Sequence, residues 1–477
     1  STLDRSSAAS DVYKRQAIIL LYEVLVLAKI TKPHHTSRYY RQTVRKEVPM
    51  TFSIITLGCK VNSCESAAIH AAFLAAGYSP AEEDSHADVY IINSCAVTGV
   101  GVKKARQTVS HCKTLNPDGI TVLCGCYPQA YPEEAIRDVS AADIITGNAN
   151  KSEIPAMVSK FIAEHRRMSC VQPLTREFDE ASSAADLDRT RAFIKIEDGC
   201  DRFCAYCIIP TARGRVRSRR PEEITRQAEQ AAAAGNREIV LTGINLGCYG
   251  EDIGYTPADA VRAAQVSGIE RVRLGSLEAD TLTGDEIQRL KACEKLCPHF
   301  HLSLQSGSDA VLKRMKRRYT SAEYLALVEK LRNVFPGCAI TTDIMVGFPG
   351  ETDEEFAESM AFAEKVGFAK IHVFPYSIRK GTVAAMRTNQ VVPQVKSARA
   401  KGMSALADRL ERQFLESQVG TMQTVLIEKR TSPDYCNGFT GSYIPVRIYG
   451  EDIPRHSLVQ VKLTSADGTY CTGTTKF

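Results

Sequence analysis

The sequence has no apolar run long enough to cross a membrane. Its one candidate, Ala17 to Ile30, is short and interrupted by Glu23, where a span needs about 20 predominantly apolar residues. Lys14 and Arg15 precede that stretch as they would a signal core, yet no small-residue cleavage pattern follows. A strong charge balance is also missing. The formal net charge of +5 is small for the length, so any nucleic-acid affinity has to come from local arrays of Lys and Arg. Internal repeats and low-complexity tracts are absent, which argues against a solenoid or a compositionally biased chain. The first residue is not Met, and Met50 stands directly before the first strand-like segment. Residues 1 to 49 therefore read as a leader, non-native or misassigned, outside the fold. A cytoplasmic protein without a membrane anchor is expected.

What is present is globular. Hydrophobic residues make up 44% and charged residues 24%, and 477 residues suggest about three domains. Sixteen cysteines would suit a disulfide scaffold only in a short secreted chain, so reduced thiols holding metal are the better account.

Strand-like and helix-like runs alternate from Thr51 to about Cys170: Phe52 to Leu57 then Ser63 to Ala76, Asp88 to Ile92 then Val100 to Leu115, Ile120 to Cys124 then Pro132 to Val139. This rhythm predicts an α/β domain over 51–170 with an open parallel sheet. A polar stretch inside 171–190 reads as a linker. Over 191–415 the alternation resumes with six strand candidates: Ala192 to Ile196, Glu238 to Leu241, Arg271 to Leu274, Phe300 to Leu304, Ala339 to Ile344 and Lys370 to Phe374. Six units are too few for a closed eight-fold barrel, so a partial (β/α)6 barrel is expected. Pro221 suits the first position of its first helix and Gly235 the end. Residues 420–477 carry short β-like runs between Gly, Asn, Asp and Pro and predict a small β-barrel.

Cys200, Cys204 and Cys207 follow the first barrel strand with C-x3-C-x2-C spacing. Three thiolates on a [4Fe-4S] cluster leave one iron open to an external donor, and S-adenosylmethionine (SAM) could bind there and bring radical chemistry of its own. A zinc site would want paired CxxC spacing and a fourth ligand; that reading and a set of core cysteines are the bland alternatives. Cys59, Cys95 and Cys126 each follow a predicted strand. In an open parallel sheet the carboxyl ends of the strands share one crevice, but cysteine is also a common core residue. Cys64 and Cys124 are near neighbours with a helical and a core reading.

The string GCDRFCAYCIIPTARGRVRSR, followed by LTGINLGCYG, RLGSLEA, HLSLQSGSDAVLKRMKRRYT and TTDIMVGFPGET, resembles the radical SAM core of the methylthiotransferase family. The resemblance covers roughly residues 51 to 477. It implies that Cys200, Cys204 and Cys207 hold the catalytic [4Fe-4S] cluster, with Tyr206, Glu278, Gln305 and Asp343 as SAM contacts. It also implies a second [4Fe-4S] cluster on Cys59, Cys95 and Cys126. In that family, SAM cleavage yields a radical that removes hydrogen from an unactivated carbon, and the second cluster presents the sulfur, which is methylated from another SAM.

Two basic clusters flank the predicted site. Arg213, Arg215 and Arg217 lie in one, and Lys316, Arg317 and Arg318 in the other; solvated surface is their ordinary reading, and RNA phosphate contact the functional one. GFTGSYIPVRIYG at 438 to 450 is similar to the TRAM domain of RNA-modifying enzymes, which nominates Tyr443 and Arg447 for RNA. The run LGCKVNSCES with NSCAVT looks most like the branch that adds a methylthio group to C2 of N6-threonylcarbamoyladenosine at tRNA position 37. Alternatives are isopentenyladenosine in tRNA, a ribosomal protein aspartate, or a non-enzymatic iron-sulfur RNA-binding protein. Partners are tRNA, an electron donor and a sulfur source.

Overall fold

The computed structural model describes residues 49–82, 84–181, 190–428, 432, 434–450 and 452–476. The expected leader falls almost wholly outside them.

The first layer is a six-stranded sheet in the order Ser79–Pro80, Thr51–Thr56, Val89–Ser94, Ile120–Gly125, Ile144–Thr146, Met168–Cys170, parallel throughout. Val89–Ser94 and Ile120–Gly125 are buried along their whole length, because helices cover both faces. Tyr90 and Ile92 point into one core with Val109 and Leu123. Val89 and Ile91 point into the other with Ile69 and Phe73, the two-residue alternation of a strand. Three strands, Ser79–Pro80, Ile144–Thr146 and Met168–Cys170, and the helix Ile154–Glu164 add to the sequence expectation. Two- and three-residue strands carry no readable period, which is why the sequence pattern passes over them.

The second body is an open barrel of parallel strands in chain order: Arg191–Lys195, Glu238–Thr242, Arg271–Leu274, His299–Leu302, Ala339–Val346 and Lys370–Pro375. The third strand divides at Gly275. Its first half pairs with the second strand, Glu238 opposite Arg271, and its continuation Ser276–Leu277 pairs with the fourth. Helices between the strands are punctuated by their own sequence. Thr320 with Glu323 and Thr352 with Glu355 form capping boxes, and Pro221 opens the helix Pro221–Ala233, which gives way at Gly235 with φ +88. The long helix Pro393–Ser417 sends Met403, Leu406 and Leu410 into the barrel core, while its Leu415 joins the core of the C-terminal body.

That body is a closed five-stranded barrel in the order Met422–Ile427, Tyr435–Thr440, Pro445–Tyr449, Tyr470–Thr474, Leu458–Asp467. Closure removes the exposed sheet edges. It is tied to the larger barrel by Arg271 and Arg273, whose guanidiniums donate to the carbonyls of Phe439 at 3.0 Å and Gly441 at 2.8 Å. Among the described residues no helix is long and apolar enough to cross a membrane.

Candidate functional site

The loop after the first barrel strand is clasped at its base, where Glu197–Asp198 pairs antiparallel with Arg217–Ser218. Cys200 N donates to the Gly214 carbonyl at 3.0 Å, and Cys207 N to that of Cys204 at 3.0 Å. Gly199, with φ +87, has no space for a side chain: a Cβ would stand 1.9 Å from the Arg215 carbonyl oxygen. The three thiols consequently face one cavity of about 190 Å³, shared with Tyr206, Asn245, Glu278, Gln305 and Arg317.

Hydrogen-bond donors are aimed at the sulfurs. Arg317 Nη1 lies 3.3 Å from Cys204 Sγ, Ile209 N 3.4 Å from Cys207 Sγ, and Asn245 Nδ2 3.7 Å from Cys200 Sγ. Burial pushes the Cys200 thiol up to about 11 and that of Cys207 up to about 12, so without a bound cation both keep their protons. Glu278 sits between Arg317 at 2.6 Å and Arg202 at 3.1 Å, and accepts from Asn245 at 3.0 Å. Gln305, at φ +70, donates its N–H to the Asp343 carbonyl and accepts from Met345 N, both at 2.8 Å. Asp343 does not border this cavity. Its carboxylate lies 3.3 Å from His301 and lines a larger cavity nearby.

Cys59, Cys95 and Cys126 stand at the carboxyl ends of three adjacent strands of the first sheet, near enough to act on one another electrostatically. Gly58, at φ +113, lets two of the loops close: a Cβ there would be 2.9 Å from Cys95 Cβ. Asn62 Nδ2 bridges the same loops by donating to Leu57 O at 2.7 Å and Ser94 O at 3.2 Å. Arg213 Nε is 3.2 Å from Cys126 Sγ, and Asn148 Nδ2 is 3.5 Å from the same sulfur.

Arg213 belongs to a buried network. Lys151, Lys195 and Arg213 meet Glu65, and Lys195, Arg213 and Arg217 meet Asp198. Four cations against two carboxylates leave positive charge over, and buried charge is costly unless compensated. Three cysteine sulfurs lie beside it and would supply the compensating negative charge once deprotonated by bound metal, so the residues present fit an iron-sulfur cluster. Among the described residues no three Cys, His, Asp or Glu side chains approach as closely as ligands of a single metal ion do; the iron corners of a cluster call for a wider triangle.

The larger cavity, about 700 Å³, opens between these two sets. It is lined by Cys59 and Lys60 from the first sheet, by His301 and Asp343 from the barrel interior, and by Phe439 and Tyr443 from the C-terminal body. Ser276 borders both cavities.

Three arginines that the sequence nominates for RNA do not face solvent. Arg213 is 0% exposed and Arg217 5%, both spent in the buried network. Arg317 is engaged by Glu278 and Cys204, with 5% of its side chain exposed. Arg215, Lys316 and Arg318 are exposed; Arg215 pairs with Asp201 at 2.9 Å. Tyr443 stacks on Phe439 with ring centres 4.8 Å apart and receives the guanidiniums of Arg191 and Arg273 over its face. Arg447 lies between the rings of Tyr435 and Tyr470, 4.8 and 3.7 Å away. Asn62, Asn148 and Asn245 escaped the sequence reading, since an asparagine beside a cysteine motif carries no distinctive spacing.

Two family models match the chain: the radical SAM superfamily over residues 194–363 and the uncharacterized protein family UPF0004 over residues 51–147. A Bacillus subtilis threonylcarbamoyladenosine tRNA methylthiotransferase, MtaB, is 39% identical over 89% of this chain and 96% of its own. Its Thermotoga maritima namesake is 35% identical over 88% and 96%. A tRNA-2-methylthio-N(6)-dimethylallyladenosine synthase from Symbiobacterium thermophilum is 34% identical over 87% and 92%. Among solved structures, the radical SAM methyltransferase TsrM of Kitasatospora setae superposes with a TM-score of 0.52 at 13% identity, over 71% of this chain and 77% of its own, a likeness of fold alone. With the cysteine loop at the mouth of an open barrel and relatives matching nearly end to end, the chain belongs to the radical SAM methylthiotransferase family.

Proposed function

We propose that this enzyme adds a methylthio group to C2 of N6-threonylcarbamoyladenosine at position 37 of tRNA. The observation that carries the reading is the 700 Å³ cavity, which reaches from Cys59 to the edge of the Cys200 pocket and has room for a nucleoside between two triads of thiols. The names of the Bacillus subtilis and Thermotoga maritima relatives favour this nucleoside. The Symbiobacterium relative favours dimethylallyladenosine as a second reading.

In this proposal Cys200, Cys204 and Cys207 hold the [4Fe-4S] cluster that binds SAM, and Cys59, Cys95 and Cys126 hold a second. When bound, the first supplies the electron that cleaves SAM to a carbon radical. Arg317 and Asn245 donate hydrogen bonds to the ligating sulfurs and so stabilise negative charge there. Glu278, fixed by Arg202 and Arg317, and Gln305, fixed by its strand contacts, are positioned to orient SAM beside Tyr206. Asp343 turns to the substrate cavity instead. Walls drawn from all three bodies line that cavity, so a bound nucleoside would displace its water and shield a reactive radical from side reactions. Arg215, Lys316 and Arg318, with Arg447 on the C-terminal barrel, supply phosphate contacts to the tRNA. The setting is cytoplasmic, with an external electron donor and sulfur source. Nucleoside mass spectrometry of tRNA from a host lacking its own enzyme tests the assignment: the gene should convert threonylcarbamoyladenosine to its 2-methylthio form, and an unchanged pool would overturn it.

A further inference from the structure

Lys60 is an anomaly in the wall of the large cavity. It occupies the first position of the helix Lys60–Ala75, whose first turn contains no acidic residue. A cation there opposes the helix dipole. Departures from local rules of this kind cluster at functional sites. The side chain is exposed, and what it is exposed to is the cavity.

Its charged neighbours do not relieve it. Arg191 and Arg273 are the cations acting on it, and Glu238 and the Cys59 sulfur the groups of opposite sign, but Glu238 is fully buried and held by Arg273 at 2.8 Å, and the Cys59 sulfur is committed to the proposed cluster. The acids that line the cavity are engaged, Glu411 with Lys370 at 2.9 Å and Asp343 with His301 at 3.3 Å. Among the described residues Lys60 makes no ion pair; its ammonium stands over the Phe193 ring, 5.7 Å from the ring centre. An unpaired ammonium beside Cys59, in a cavity walled on three sides, calls for an anion.

We propose that Lys60 is the residue that selects the substrate, by pairing with the free carboxylate of its threonyl group. The inference rests on the nucleoside proposed above. Of the two nucleosides under consideration, threonylcarbamoyladenosine carries a carboxylate on its N6 substituent, whereas dimethylallyladenosine carries only hydrocarbon. Lysine's four-carbon stem can follow a carboxylate set several bonds from the ring. The same ammonium works against the competitor, because an apolar group in its place strips water from the charge without replacing it.

The test uses the reconstituted full chain and synthetic anticodon stem-loops with three nucleosides at position 37: threonylcarbamoyladenosine, its neutral threoninamide analogue, and dimethylallyladenosine. Wild type should favour the acid over the amide by roughly tenfold or more in kcat/KM, chiefly through KM, since a site built for a charged hydrogen bond rejects the analogue lacking it. In Lys60→Gln and Lys60→Met, with iron content matched to wild type, that preference should collapse toward unity, and Lys60→Arg should restore part of it. If wild type treats acid and amide alike, the proposal is overturned whatever the variants do. A variant of wild-type iron content that keeps the full preference also overturns it. Modification of the dimethylallyl stem-loop alone would instead sink the underlying choice of nucleoside.

Discussion

Arg213 is where a single change tests most of the structural argument. Its guanidinium is fully buried, with Glu65 at 2.7 Å, Asp198 at 3.1 Å, the Asn62 side-chain oxygen at 2.8 Å and Cys126 Sγ at 3.2 Å. Arg213→Met removes one cation and leaves both carboxylates in place. Breaking a buried ion pair from one side costs about 3–5 kcal/mol. Lys151, Lys195 and Arg217 remain to share the carboxylates, so the lower end, about 3 kcal/mol, is expected. Glu65→Gln, which leaves all four cations facing Asp198 alone, should cost at least as much.

Urea unfolding followed by circular dichroism measures both, the chain having no tryptophan to report by fluorescence. The effect has a pH signature. Burial alone would raise the Glu65 carboxyl, but Arg213, Lys151 and Lys195 outweigh it and hold it well below the usual carboxylate range. Asp198 is likewise raised by burial and held low by Lys195, Arg213 and Arg217. Carboxylates with depressed folded values stabilise fully above their unfolded pKa, near about 4, and lose that contribution as pH falls through the folded values. The gap between wild type and Arg213→Met should therefore be full at neutral pH and narrow below about pH 4. A loss of less than about 1 kcal/mol at neutral pH, or a gap that widens in acid, refutes the account.

Cys204→Ala should abolish 5'-deoxyadenosine formation from SAM, whereas Cys95→Ala should spare it and stop sulfur insertion; loss of both products in both variants would refute the division between the triads. Gly199→Ala, whose Cβ would meet the Arg215 carbonyl at 1.9 Å, should cost well over about 1 kcal/mol and lower the iron content. Gly235→Ala, at a similar φ of +88 but with nothing within 4 Å, should cost about 1 kcal/mol and leave iron intact, and equal iron loss in both would show that space is not the cause. Replacing exposed Lys316 or Arg318 with Ala should weaken tRNA binding and lower the salt dependence by about one unit each. Arg217→Ala should lower thermal stability instead, and a salt-slope change from it with stability untouched would contradict its buried placement.

The basic segments mark where sequence reading reaches its limit. Arg213, Arg215, Arg217 and Arg219 alternate in the chain, and the sequence offers no reason to treat them differently. In the structure Arg215 lies outside with Asp201, while Arg213, Arg217 and Arg219 are buried. Whether a guanidinium meets a phosphate or a carboxylate depends on what the rest of the fold brings opposite it. Glu65 reaches Arg213 from 148 positions away. Lys60 is the reverse case: within its motif it reads as a neighbour of Cys59, and its functional meaning appears only when three bodies enclose a cavity around it.

The sequence by itself determined what depends on short-range chain geometry. Cys200, Cys204 and Cys207 fall within a single loop, so their convergence is local, and the six barrel strands are readable because each is a short run of continuous or alternating apolar residues bounded by capping and turn residues. Tertiary structure alone decided what depends on distant segments meeting. Cys59, Cys95 and Cys126 meet at one end of the first sheet because three parallel strands lie side by side, and the charge left over in the buried network beside them comes from residues spread from Glu65 to Arg217. Burial and pairing are properties of the folded whole, and no window of sequence contains them.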